Sequence, residues 1–232
     1  MKDVLVTDFS GALEAQGFLP WLRERGASLE LRNWRGLEGT HCYCDSVARE
    51  QILAELPERL PCLRWIDSGD YHYMSCLLAL KETVPFHLVL LDHHPDDQEA
   101  AFGGILSCGG WVKALREEQP LLKDVLKIGP EGCPEAIPAD WLAERRGERV
   151  YVSLDKDILD LRYARMGWSQ GSHTLEQVMD ILGQLLDGTV TVFAVDVCGE
   201  MAPDACCNTP EDQKINANTN IELYKFITTH LK

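Results

Sequence analysis

The sequence predicts an α/β protein in which one mostly parallel sheet is covered by helices on both faces. Three observations carry that expectation. Short apolar runs of strand length alternate with longer helical patterns from end to end. The later runs are almost continuous in Val, Ile and Leu without polar alternation, as strands buried on both faces require. With 232 residues, 45% of them hydrophobic, the chain is long enough for one sizeable core and short for two, so one domain over residues 1–232 is expected.

The elements follow in order. Val4–Phe9 reads as the first strand and Gly11–Arg25 as the helix after it; Leu29–Trp34 and Ser46–Glu58 repeat the pattern. Leu63–Ile66 is a short strand ahead of a helix over His72–Glu82. The runs Phe86–Leu91, Val125–Ile128, Val150–Leu154 and Val190–Val197 are the strands expected to be enclosed. Helices fall over Gly110–Glu118, Asp140–Arg146, Thr174–Leu186 and Asp212–His230. Two helix starts are chemically signed: Thr174-Leu175-Glu176-Gln177 has the form of a capping box, and Thr209-Pro210-Glu211-Asp212 joins a cap, an N1 proline and first-turn acids. Gly129-Pro130-Glu131-Gly132-Cys133-Pro134 is a loop too short to divide domains.

Composition excludes whole classes of partner. Against 22 Lys and Arg stand 37 Asp and Glu, a formal charge of −15. Such a surface repels phosphate backbones and anionic lipid, so neither nucleic acid nor a membrane is an expected partner. No apolar run reaches the roughly 18 residues that span a bilayer. The start, Met1-Lys2-Asp3-Val4-Leu5-Val6-Thr7-Asp8, lacks the layout of a signal peptide, and a soluble cytoplasmic protein is expected. The nine cysteines include no Cys-x-x-Cys pair and several sit in apolar runs, so most read as buried free thiols.

In open parallel sheets ligands bind at the carboxyl ends of the strands, and there the chemistry-bearing residues collect. Phe86–Leu91 ends in Asp92-His93-His94-Pro95-Asp96-Asp97, the densest group of metal-ligand types in the chain. Val150–Leu154 runs into Asp155-Lys156-Asp157, with Asp160 beyond; Val190–Val197 carries Asp196 and then Glu200. Asp67-Ser68-Gly69-Asp70-Tyr71-His72 delivers a histidine at a helix opening. Carboxylates converging on one sheet edge repel one another, and they either take up protons or hold cations. Imidazole with an excess of carboxylate suits Mn, Fe, Zn or Ni, and the lack of thiolate there leans towards Mn or a similar hard divalent ion. Asp155 and Asp157 taken alone read equally well as loop caps. His93 points away from its neighbours if the strand continues, which makes it a packing or supporting residue. His41, His87, His173 and His230 read as structural or solvated.

On these residues the chain resembles the arginase, or ureohydrolase, superfamily of arginases, agmatinases and formiminoglutamases. The family's Asp-x-His-x-Asp motif is met by Asp92-His93-His94-Pro95-Asp96, and its Ser-x-Asp-x-Asp-x-x-Asp motif by Ser153-Leu154-Asp155-Lys156-Asp157-Ile158-Leu159-Asp160. Its Gly-Gly-Asp-His-Ser element is answered by Ser68-Gly69-Asp70-Tyr71-His72 and its late Asp-x-x-Glu element by Asp196-Val197-Cys198-Gly199-Glu200, each one residue longer. The resemblance implies a three-layer α/β/α sandwich around a parallel sheet of eight strands and a binuclear Mn centre. One ion would take His72, Asp92, Asp96 and Asp155; the other, Asp92, His94, Asp155 and Asp157. A hydroxide between them would attack a guanidinium carbon, with Asp96 orienting it and moving its proton and Glu200 pairing with the cationic group. The products would be urea, or a related compound, and an amine. The substrate would be a small or peptidyl guanidino compound, and the family's trimers and hexamers imply a homo-oligomer. Where arginases place a shuttle histidine this chain has Ser107-Cys108-Gly109-Gly110-Trp111, and after Asp160 it carries Arg162 and Arg165, which read as carboxylate binders or as a solvated loop. Two rival readings keep the fold: a metal-dependent deacetylase, with one zinc, and a non-catalytic metal- or ligand-binding protein.

Overall fold

All seven runs read as strands pair with one another, and they do so in a single sheet. The structure is a computed structural model describing residues 3–100 and 103–231, so Met1 and Lys2 of the start read above lie outside the described residues. Its strands are β1 (Asp3–Asp8), β2 (Ser28–Asn33), β3 (Tyr43–Cys44), β4 (Leu63–Trp65), β5 (Phe86–Leu91), β6 (Leu106–Ser107), β7 (Leu122–Ile128), β8 (Arg149–Asp155) and β9 (Thr191–Cys198). Its helices are α1 (Ala12–Ala15), α2 (Phe18–Glu24), α3 (Ser46–Glu55), α4 (Met74–Ala79), α5 (Trp111–Glu118), α6 (Ala139–Glu144), α7 (Leu175–Leu186) and α8 (Pro210–His230). Seven strands form a wholly parallel sheet in the order β2-β1-β4-β9-β8-β5-β7. The sheet of eight strands implied by the resemblance is thus one strand smaller among the described residues. The short β3 and β6 make a separate antiparallel pair, Tyr43 opposite Ser107. Two residues are too few for any hydrophobic period, so the sequence reading contains neither strand.

Successive side chains of a strand face opposite ways, and each face of the sheet carries its own core. Val4, Val6, Val89 and Val152 pack with Phe18 and Leu22 of α2, Ile181 and Leu185 of α7, and Leu223 and Ile227 of α8. Leu5, Leu88, Leu90 and Tyr151 pack with Ile52 of α3, Leu77 of α4, and Trp111 and Leu115 of α5. Three layers result. The run Val125–Ile128 departs from the enclosed pattern expected of it. It belongs to β7, an edge strand bonded only to β5, and Val125, Leu126 and Lys127 are half-buried.

Local chemistry sets the helix ends. Both capping boxes form: Thr174 accepts from the Gln177 amide and Thr209 from the Asp212 amide, each answered by the partner side chain, with Pro210 opening α8. The single helix expected over Gly11–Arg25 is instead two, because Gly17 takes φ +86° between them, a left-handed turn that glycine adopts without steric cost. What matters for the site is that β4, β9, β8 and β5 are consecutive neighbours, so their carboxyl ends, with the four clusters read from sequence, meet along one rim.

Candidate metal centre

Each ligand-type side chain is held by the turn that ends its strand. Asp92 follows β5 directly, and the chain then doubles back through Asp96, whose φ of +49° is uncommon for a residue with a side chain. The Val112 amide donates to the Asp96 carbonyl and fixes that turn to α5. Asp155 ends β8 and caps a single 3₁₀ turn, Lys156–Ile158, by accepting from the Asp157 amide at 2.9 Å through Oδ1. Its other oxygen, Oδ2, faces His72 at 3.3 Å. Cap and ligand-type placement therefore coexist in one carboxylate. Beyond β4, a 3₁₀ turn over Gly69–Tyr71 takes up the extra residue of the Ser68–His72 element and presents His72 to the rim.

Five of these side chains, His72, Asp92, His94, Asp96 and Asp157, meet in two groups that share Asp92. His72 Nδ1 lies 3.0 Å from Asp96 Oδ2 and 3.3 Å from Asp92 Oδ2. His94 Nδ1 lies 2.6 Å from Asp157 Oδ2 and 3.7 Å from Asp92 Oδ1. Within each of the triads His72, Asp92, Asp96 and Asp92, His94, Asp157 the donor atoms lie within 4.8 Å of one another. The aspartates and His72 are buried, while His94 is half-buried at the mouth. Asp92 Oδ2 is buried and makes no well-formed hydrogen bond, with His72 Nδ1 standing 3.3 Å away. An acceptor enclosed in this way carries a desolvation penalty that a cation removes, so the donor set fits divalent metal.

A supporting layer orients these candidate ligands. Ser153 Oγ sits 3.0 Å from His72 Nε2 and 3.1 Å from Ser75 Oγ, while Ser169 Oγ sits 2.8 Å from His94 Nε2. Trp111 Nε1 donates to Asp96 Oδ2 at 2.6 Å, and the His93 amide donates to Asp157 Oδ1 at 2.9 Å. Ser153 opens a motif read from the sequence. Trp111 and Ser169 carry no sequence signal for these roles, since each reaches its partner only through the fold.

The electrostatics are those of a crowded anionic site. Burial, then the Asp157 charge, pushes Asp155 well above the carboxylate range; burial, then Asp92, raises Asp157 to about 6. Burial also raises Asp96. Burial opposes the charged form of His72, but the Asp92 and Asp96 carboxylates facing Nδ1 together hold it well above the ordinary histidine value. His94 is raised to about 10, first by its bond to Asp157 and then by Asp92. Cys198 joins His72 and Asp155 in a further donor group, a thiol where sequence had suggested none. Burial keeps it far above the ordinary thiol value, and it lies 3.6 and 3.5 Å from the carbonyl oxygens of Asp67 and Ser68.

A cavity of about 250 Å³ opens over these side chains, walled by Tyr43, Gln98, Ser107, Cys108 and Trp168 among others. The segment at the shuttle-histidine position thus does reach the cavity, with a hydroxyl and a thiol. Glu200 is not among the residues that line it. Its Oε1 accepts from Lys156 Nζ at 2.6 Å and Asn220 Nδ2 at 2.8 Å, and its Oε2 is buried without a partner. Burial raises the Glu200 carboxyl and Lys156 lowers it. Asp196 faces away into the core, accepting from the Tyr151 hydroxyl at 2.6 Å. Arg162 and Arg165 are paired with Asp160 and Asp212. His87 and His173 each have a glutamate beside them, Glu148 and Glu135. All nine cysteines are free, but only Cys44, Cys76 and Cys198 are buried, fewer than expected because the others lie on loops and rims. No helix among the described residues is long and apolar enough to cross a membrane.

No family model matches the chain. An uncharacterized protein of Thermotoga maritima is 28% identical over 218 residues, 91% of this chain and 85% of that protein. Among solved structures, proclavaminate amidino hydrolase of Streptomyces clavuligerus is 18% identical with a TM-score of 0.66, over 99% of this chain and 93% of that one. Arginase of Bacillus caldovelox is 14% identical with a TM-score of 0.66, over 97% and 98%. A hypothetical agmatinase of Burkholderia thailandensis is 18% identical with a TM-score of 0.61, over 98% and 86%. The chain has the fold of these proteins.

Proposed function

We propose that the chain is a divergent member of the arginase superfamily, a cytoplasmic hydrolase that cuts a linear, non-peptide C–N bond in a small guanidino or related amidine compound. The observation that carries this reading is the convergence of His72, Asp92, His94, Asp96 and Asp157 on two donor groups sharing Asp92, with Asp155 Oδ2 3.3 Å from His72 Nδ1. One ion would be held by His72, Asp92, Asp96 and Asp155, the other by Asp92, His94, Asp155 and Asp157. The excess of carboxylate over imidazole favours Mn. Paired divalent ions bound there would supply two things, water made nucleophilic at neutral pH and positive charge for the transition state.

The chain's own residues do the rest. Ser153 fixes the ring of His72, and Ser169 that of His94, so that each presents Nδ1 to the carboxylates. Asp96, steadied by the Trp111 indole, is the proposed acceptor and carrier of the attacking water's proton. Trp168 and Tyr43 contribute aromatic side chains to the cavity wall. Glu200 is the residue the resemblance assigns to the guanidinium, but one of its oxygens is already engaged with Lys156 and Asn220.

The test is metal content together with product. Protein loaded with manganese should hold two equivalents by elemental analysis and release urea, or its analogue, from a panel of guanidino and formimino compounds. Asp155→Ala should lose both ions. Normal metal binding by that variant would show the ligand set to be wrong. One zinc with acetate release would point to a deacetylase, and full loading without turnover to a non-catalytic binder.

A further inference from the structure

The proposed reaction leaves two thiols of the cavity wall without a role. Cys42 and Cys108 both line the metal cavity, and both are half-buried. The first precedes β3 and the second follows β6. In the antiparallel register of those strands Tyr43 stands opposite Ser107 and Cys44 opposite Leu106, which sets Cys42 opposite Cys108. The Cys108 amide donates to the Cys42 carbonyl at 2.9 Å and closes that pair. Opposed residues bonded in this way have Cα atoms about 5.5 Å apart, a separation that a disulfide spans without backbone movement. Among the described residues no other cysteine stands opposite a cysteine in a strand register.

The surroundings of the two thiols fit the same pairing. Burial, then the Asp70 charge, pushes Cys42 up to about 11, while the neighbouring Cys108 thiol acts in the opposite sense. Burial pushes Cys108 up to about 12. Both stay protonated at neutral pH and exchange slowly, so the pair is characterised by its equilibrium and not by its rate. Cys42 Sγ lies 3.4 Å from Asp70 Oδ1, an oxygen that also accepts from Trp168 Nε1 at 3.1 Å. Asp70 therefore keeps a donor there when the Cys42 S–H is lost. Cys42 also takes φ +58°, uncommon for a residue with a side chain, and a side chain kept at such a position points to a use for it.

We propose that Cys42 and Cys108 form a reversible disulfide across the β3–β6 pair, a redox site in the cavity wall that equilibrates with small-molecule disulfides. It is independent of the reaction proposed above. One protein thiolate attacks a sulfur of the small disulfide, breaking its S–S bond, releasing one small thiol and leaving a mixed disulfide. The second protein thiol gives its proton to solvent and displaces the other small thiol. One S–S bond is broken and one formed, and two electrons pass from the protein to the small disulfide. In a reducing compartment a bond of this kind is transient and reports the redox state.

The experiment equilibrates the purified full chain in buffers of reduced and oxidised glutathione at mildly alkaline pH. Samples are quenched with acid, their remaining thiols alkylated, and the nine cysteines mapped by mass spectrometry. At the most oxidising ratio more than half of Cys42 and Cys108 should be linked to each other within one chain, with the loss of two hydrogen masses. Dithiothreitol should return both as free thiols. The same treatment of chain held unfolded in guanidinium should scatter the links, which separates a bond set by the fold from chance oxidation. Cys42 and Cys108 found free, or carrying glutathione without being linked, would overturn the inference. So would links from either residue to a third cysteine or to a second chain, or a native pattern no different from the unfolded one.

Discussion

Lys156 lies in sequence between two proposed ligands, yet its side chain turns away from them and is wholly buried against Glu200. Removing one member of a buried ion pair leaves an uncompensated charge and costs about 3–5 kcal/mol. Lys156→Met should therefore lower the denaturant midpoint sharply. The sign with pH follows from Glu200, whose carboxyl burial already raises: without Lys156 it is raised further, so the deficit is largest at high pH and shrinks as Glu200 takes a proton. The double variant Lys156→Met, Glu200→Gln should recover most of the loss, and a single variant as stable as the parent would show the pair to be immaterial. Trp111→Phe is a milder probe: it keeps the buried ring, deletes the donor to Asp96, and should lower kcat while leaving two metals bound. The proposed ligands were legible because they lie in three short elements just after strands, Ser68–His72, Asp92–Asp96 and Asp155–Asp157. Lys156 was not, because its meaning depends on a partner 44 residues away, and Trp111 was not, because an indole in an apolar helix reads as core until the fold shows where its N–H points.

Two glycines with positive φ separate backbone strain from damage to the site. Gly17, at +86° between α1 and α2, has nothing within 4 Å of where a Cβ would stand; Gly199, at +93° after β9, would press a Cβ into Asp155 Oδ1 and to 2.7 Å from Met166 Cε. Gly17→Ala should cost only the left-handed conformation, roughly 1–2 kcal/mol, with metal affinity unchanged. Gly199→Ala should lose stability and metal together, read by denaturant titration and elemental analysis on the same samples; equal metal content in both variants would refute the distinction. These positions also mark what the sequence could show of the elements. Strands β1, β2, β4, β5, β7, β8 and β9 were visible because six to eight residues, or a short run bounded by turns, suffice to display an apolar pattern of strand length, continuous only in the later four runs. The capping chemistry of α7 and α8 was visible because it is local. The break at Gly17 was hidden, since one glycine inside an amphipathic pattern is tolerated as often as it terminates a helix. The edge position of β7 was hidden too, because strand order is decided by packing and not by any run taken alone.

Across the whole molecule, an excess of acid is concentrated at one rim, and this couples metal, protons and stability. Without an ion, Asp157 is raised from 3.8 to about 6 and His94 from 6.5 to about 10. At pH between the ordinary and the raised value the native chain holds a proton that the unfolded chain has released, so native stability falls as pH rises. For Asp157 that window runs from about 4 to 6, and for His94 from 6.5 to 10. A bound cation reverses the preference, because a ligand carboxylate must be ionised and a ligand imidazole neutral. Metal binding at pH 7 should therefore release a proton from His94, and below pH 6 another from Asp157. It follows that the gap in Tm between metal-loaded and metal-free protein opens as pH rises from 5 to 8, with the metal-free form losing stability and the loaded form gaining it. Thermal melts with and without manganese across that range measure the gap, and calorimetry in two buffers of different ionisation enthalpy counts the protons. A gap that does not change with pH, or binding with no proton release at pH 7, would mean that the cation sits elsewhere and that these acids are neutralised by protons alone.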